Sequence, residues 1–160
     1  MLKSEKYQKS VDKVKNMAWS LKLLTRCYTM DDGRAKIVIE TPYDGMYAPK
    51  EVVDLHHLLL SKIHSFRDGY YSCESLAMHT AFAVTITPFE FWEIECVTHF
   101  DWPTGREVIR RQKYFDDESE AFETYNKILN DEDCDRNYDG LKLYHNYSKG
   151  GISKYVLKEW

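Results

Sequence analysis

The sequence predicts an α+β fold in which an antiparallel sheet, built from a meander plus hairpins, is covered by about three helices. Three observations carry this. Apolar residues recur at spacings of three and four in three separate segments, runs rich in β-branched and aromatic residues alternate along the rest, and the links between those runs are short turn sequences that suit hairpins. The order reads αββα, then βββ, then αββ.

The first helix is predicted over residues 3–19, where Tyr7, Val11, Val14, Ala18 and Leu21 form one stripe and lysines line the other face. The stretch SLKLLTRCYTMDDGRAKIVIET places two apolar-polar runs around Asp32-Gly33, so strands are expected near 21–29 and 35–41. Pro49 suits the first turn of a second helix over 50–66, with Val52, Leu55, Leu59, Ile63 and Phe66 on one side. Residues 68–79 show neither period and are expected to form a loop or short helix. TAFAVTIT, FEFWEIECVTHF and REVIRRQKYF then read as a three-stranded meander broken at Pro88 and DWPTG. A third helix follows an Asp N-cap and carries Ala121, Phe122, Tyr125, Ile128 and Leu129 on one face. The closing LKLYHNYSKGGISKYVLKEW reads as a hairpin turning at Lys149-Gly150-Gly151.

A chain of 160 residues suits one domain spanning 1–160, burying about two-thirds of its unfolded surface. Twelve tyrosines exceed the needs of such a core, so some are expected at the surface as cover or interface anchors. The N-terminal lysines have no apolar run behind them and no segment approaches the length of a membrane span, so no membrane association is expected. Cys27, Cys73, Cys96 and Cys134 show no metal-type spacing; reduced thiols and a cytoplasmic setting are expected.

The net charge of −4 is unevenly spread. Residues 1–26 hold seven Lys/Arg against Glu5 and Asp12, and residues 116–139 hold ten Asp/Glu against Lys127 and Arg136. Opposite fields on one small chain can orient a partner, while an acidic chain gains little from neutralising phosphates.

Glu93, Glu95 and His99 lie on one face of a predicted strand. If Asp101 to Gly105 close the hairpin, Glu95 faces Arg111, Glu93 faces Lys113, His99 faces Glu107, Phe91 faces Phe115 and Val97 faces Ile109. The expected result is a solvated, cross-paired sheet face in which each glutamate has its own cation, unlike a catalytic carboxylate pair. His56, His57 and His64 on the second helix are read as flanking its buried stripe, since His57 and His64 are two turns apart and no H-E-x-x-H occurs. Asp135, Asn137, Asp139 and Gly140 match the first half of an EF-hand loop, but Asn146 stands where the bidentate glutamate belongs, leaving at most a weak divalent-cation site. No nucleophile-elbow, P-loop or dinucleotide motif is present, and Cys73 with His79 has no supporting signature. Arg106, Arg110, Arg111 and Lys113 share a region with aromatic residues, yet direct nucleic-acid binding is not expected from so few unpaired cations.

The sequence therefore favours a non-catalytic, acidic protein-binding module, with no cofactor, over an enzyme. One version is a phage or mobile-element inhibitor, of the anti-CRISPR or anti-restriction type, acting on a nucleic-acid-processing enzyme. The expected partner-binding residues are Asp116, Asp117, Glu118, Asp131, Glu132, Asp133, Asp135 and Trp102. The alternatives are a small enzyme or metal-dependent hydrolase assembled from Glu93, Glu95, His99 or the Asp135 loop, and a nucleic-acid-binding regulator using the basic N-terminal helix.

Overall fold

The computed structural model describes residues 2–41, 49–77, 80–130, 138–147 and 153–160. Its elements run α1 (Glu5–Ser20), β1 (Leu24–Thr29), β2 (Ala35–Glu40), α2 (Lys50–His64), β3 (Gly69–Ala77), β4 (Ala81–Pro88), β5 (Glu90–Trp102), β6 (Gly105–Phe115), α3 (Glu118–Leu129), β7 (Gly140–Tyr147) and β8 (Ser153–Glu159). This is the α+β class with antiparallel strands and three helices. The strands are shared between two four-stranded sheets, ordered β1-β2-β4-β3 and β6-β5-β7-β8. The chain divides into two compact units, Met1–Met30 with Arg34–Phe89 and Asp31–Gly33 with Glu90–Trp160.

In the first unit α1 begins at Ser4, whose hydroxyl accepts from the Tyr7 N–H. The helix ends in a Schellman arrangement: Leu23 N–H reaches Ala18 O and Lys22 N–H reaches Trp19 O, with Lys22 at φ 58°. Its stripe buries Tyr7, Val11, Val14 and Ala18, as the spacing predicts. These residues, with Leu59 and Ile63 of α2, form a core with Ile37, Ile39, Phe82, Val84 and Ile86 of β2 and β4. The Tyr7 hydroxyl donates to Ile86 O at 2.9 Å and accepts from Ala35 N at 2.7 Å, joining the ends of β4 and β2. His56 is buried, its ring 4.7 Å from that of Phe82, while His57 and His64 are exposed.

In the second unit α3 starts at the N-cap Asp117, which accepts from Glu120 N–H at 2.8 Å. It lays Ala121, Tyr125 and Ile128 against Ile94, Phe115, Leu141 and Leu143, with Phe122 and Leu129 at the margin.

Three expectations are corrected. Residues 69–77 form the edge strand β3, not a loop or short helix; the strand is largely exposed and therefore lacks the apolar alternation that marks a half-buried strand. The meander does not exist as read, because β4 pairs with β2 and β3 whereas β5 pairs with β6 and β7. Only Phe89 separates β4 from β5, and one residue cannot reverse a chain into a hairpin. Finally, the β5–β6 turn has two residues, Pro103 and Thr104, with Trp102 paired to Gly105 at φ +146°, so the register is displaced by one from expectation. A single-residue slip exchanges which β6 side chains share a face with the glutamates.

Candidate functional site

One face of the second sheet carries Phe91, Glu93 and Glu95 on its interior strand β5. The β6 register puts Glu93 opposite Tyr114 and Glu95 opposite Gln112, and β7 brings Tyr144 beside Glu93 and Lys142 beside Glu95. Glu95 and Glu93 are thus not paired with Arg111 and Lys113, which lie on the other face with Cys96 and Ile94.

Neither glutamate is solvated. Glu93 is 3% exposed and Glu95 6%. A carboxylate at that depth must be matched by cations and donors, and each is. Glu93 Oε1 receives Gln112 Nε2 at 2.8 Å and Lys154 Nζ at 2.9 Å. Glu95 Oε1 receives the Tyr144 hydroxyl at 3.3 Å and Arg110 NH1 at 3.4 Å. Lys154 Nζ also sits 3.7 Å from the centre of the Tyr144 ring. Burial, and after it the charge of Glu95, pushes the Tyr144 phenol above its ordinary pKa. Asn146 is buried on the same face, and its carboxamide has no hydrogen-bond partner among the described residues. The pairing expected of this face holds in kind, with one cation for each glutamate, but the partners and the burial differ.

The histidine is engaged elsewhere. His99 N–H and Nδ1 both approach Asp139 Oδ2, at 2.5 and 3.0 Å, and Asp139 N–H donates to Val97 O. The backbone N–H of His99, followed by its ring, holds the Asp139 carboxyl below its ordinary pKa. The ionised carboxylate can only accept, which makes His99 Nδ1 the protonated nitrogen and leaves Nε2 pointing away from the pair. Asp139 Oδ2 is thus engaged by His99. Asp135 and Asn137, the other proposed metal ligands, lie outside the described residues, as do Asp131, Glu132, Asp133 and His79. Among the described residues no group of three or more His, Cys, Asp or Glu could hold a metal ion. Burial pushes the Cys73 thiol up to about 11, opposite to the shift that activates a nucleophile.

Beyond Val97, where β7 pairing stops, β5 and β6 continue, among the described residues, as a two-stranded ribbon, Thr98–Trp102 against Gly105–Ile109. Phe100 and Trp102 share one face of it, 38% and 57% exposed, with rings inclined by only 22° and centroids 6.2 Å apart. Trp102 Nε1 donates to Glu107 at 3.1 Å, which fixes the indole without covering it. Val108 is exposed on the opposite face. Of the basic residues nearby, Arg106 lies 3.8 Å from Asp101, Arg110 serves Glu95, and Lys113 sits over the Phe115 ring. Of the acidic residues expected to bind a partner, Asp117 is an exposed N-cap, Glu118 is exposed in the first turn of α3 and Asp116 is half-buried just before it.

Sequence reasoning nominated Trp102 and missed Phe100, although the F-D-W alternation places both on one face. It also missed Lys154 and Tyr144, for which no local signal exists. No helix among the described residues is long and apolar enough to cross a membrane. No family model, curated protein or solved structure matches this chain.

Proposed function

We propose that this chain is a non-catalytic protein-binding module whose docking element is the tip of the β5–β6 ribbon. The observation that carries the reading is the pair of exposed, nearly parallel rings of Phe100 and Trp102 on a ribbon that leaves its sheet. Large aromatic side chains held in place by a short strand pair supply contact area at low entropic cost, and tryptophan is enriched among residues that dominate binding energy. The two groups best suited to acid–base work, Glu93 and Glu95, are instead tied into internal pairs.

In its finer form the module is a cytoplasmic inhibitor, of the phage or mobile-element type, whose partner is a nucleic-acid-processing enzyme. The acidic run that starts at Asp116, Asp117 and Glu118 and continues through Asp131, Glu132, Asp133 and Asp135 supports this, because such enzymes present basic grooves. The unpaired thiols of Cys27 and Cys73 suit a reducing compartment.

The test is affinity capture from nuclease-treated lysate of the native host, comparing wild type with a Phe100→Ala/Trp102→Ala variant of unchanged circular dichroism. One stoichiometric protein retained by wild type and lost by the variant is expected. Equal retention, or no retained protein, sinks the docking role. Charge reversal at Asp131, Asp133 and Asp135 should weaken the same complex and flatten its salt dependence. A second reading, a small hydrolase, draws on the carboxylate-oriented imidazole of His99; any turnover abolished by His99→Ala would favour it.

A further inference from the structure

The two sheets have four edge strands, and three of them carry devices that discourage pairing. β3 has a register break between Ser75 and Ala77. β8 has one against Leu143 and Tyr144 and bears Lys154 and Lys158. β6 is lined by Arg106, Arg110, Arg111 and Lys113, and its Tyr114 N–H is taken by Asp32 O. β1 has fewer of these: its register with β2 is unbroken, it contains no proline or lysine, its single charged residue, Arg26, is paired with Glu40 of β2, and five of its six residues are exposed.

Among the described residues the outer backbone edge of β1 is open in a regular way. Met30 N–H bonds to Arg34 O at 2.8 Å, and hydrogen-bonded pairs alternate along antiparallel strands. Leu24, Arg26 and Tyr28 therefore turn their N–H and C=O groups toward β2, and Thr25, Cys27 and Thr29 turn theirs outward from the sheet. The residues are also arranged symmetrically about Cys27: Leu24-Thr25-Arg26 precede it and Tyr28-Thr29-Met30 follow it.

We infer that β1 is a homodimerisation strand that pairs antiparallel with β1 of a second copy about a two-fold axis through Cys27. A closed two-fold contact requires a self-complementary surface, and this register supplies one. Cys27 meets Cys27, Thr25 meets Thr29, Leu24 meets Met30, and Arg26, which keeps its own pair with Glu40, stands opposite the Tyr28 ring. No like charges face each other. All the outward N–H and C=O groups of Thr25, Cys27 and Thr29 find partners, whereas centring the axis on Thr25 or Thr29 strands some of them. Exposed Leu24 (62%) and Tyr28 (48%) lose water in the process.

Sedimentation velocity at protein concentrations up to about 1 mM, a range that includes weak edge contacts, should show the 19.0 kDa chain shifting toward twice that mass. Cys27→Lys, at an exposed position, should stay monomeric with unchanged circular dichroism, and mixing it with Cys27→Glu should restore the dimer. In a chain with Cys73, Cys96 and Cys134 replaced by Ser, diamide should take two electrons and two protons from the paired Cys27 thiols and leave one intermolecular disulfide. The register sets their Cα atoms about 5.5 Å apart, within disulfide reach. A wild type that stays monomeric throughout, or a Cys27→Lys chain that dimerises as well as wild type, overturns the inference.

Discussion

Replacing Lys154 by Met removes the cation from Glu93 but keeps an unbranched apolar stem over the Tyr144 ring. The carboxylate, 3% exposed, is then left with Gln112 alone. Breaking a fully buried ion pair costs about 3–5 kcal/mol, because an uncompensated charge stays behind. Lys154 keeps 33% of its side-chain surface in water, so part of the attraction is already screened and a loss of about 2–3 kcal/mol is expected. Urea unfolding followed by tryptophan fluorescence is the assay, since Trp92, Trp102 and Trp160 all belong to the second unit. Adding Glu93→Gln should recover more than half of the loss, as a neutral amide needs no cation. A Lys154→Met chain within about 0.5 kcal/mol of wild type, the range of an ordinary surface change, would refute the reasoning. It would also return Glu93 to the candidates for acid–base chemistry.

Tyr7→Phe leaves Ala35 N–H and Ile86 O without the hydroxyl that joins them, and should cost about 1–3 kcal/mol by thermal or chemical denaturation. Lys22→Gly relieves a side chain held at φ 58° and should stabilise the chain by about 0.5–1 kcal/mol in the same assay. Burial works to raise the Asp68 pKa, but hydrogen bonds from Tyr71 at 2.5 Å and Ser10 at 3.0 Å prevail and hold it below the ordinary value. A depressed carboxyl stabilises the fold above its unfolded pKa of about 3.9 and loses that contribution as the pH falls through the folded value. The stability gap between wild type and Asp68→Asn should accordingly narrow on acidification below about pH 5 in pH-dependent urea titrations.

The helices were legible because burial on one side imposes a period that the residues themselves display: Tyr7, Val11, Val14 and Ala18, and again Ala121, Tyr125 and Ile128, are buried where their spacing puts them. The edge strand β3 was not legible, since most of its side chains face solvent and Tyr71 is its one buried residue. The division into two sheets hinged on the single residue Phe89, a matter of geometry and not of composition. Glu93 and Glu95 show the sharper limit. Alternating E-x-E reads the same whether the face is wet or dry, and what decides it here includes a lysine sixty-one residues away. The aromatic ribbon sits between these cases: the sequence singled out Trp102, but its exposure followed from where β7 stops.

The position of Phe89 has a consequence for biosynthesis. Every strand of the first sheet lies between Leu24 and Pro88, and every strand of the second between Glu90 and Glu159. A chain made from its N-terminus can close the first sheet while the second is still being translated, and no strand of the first has to wait for a later partner. β5 differs: it emerges next with β6 able to fold against it at once, but its other neighbour, β7, follows only after α3. For that interval one side of the new interior strand is bare, which makes the passage from Phe115 to Gly140 the point in synthesis at which a chaperone, or another nascent copy, has most to bind.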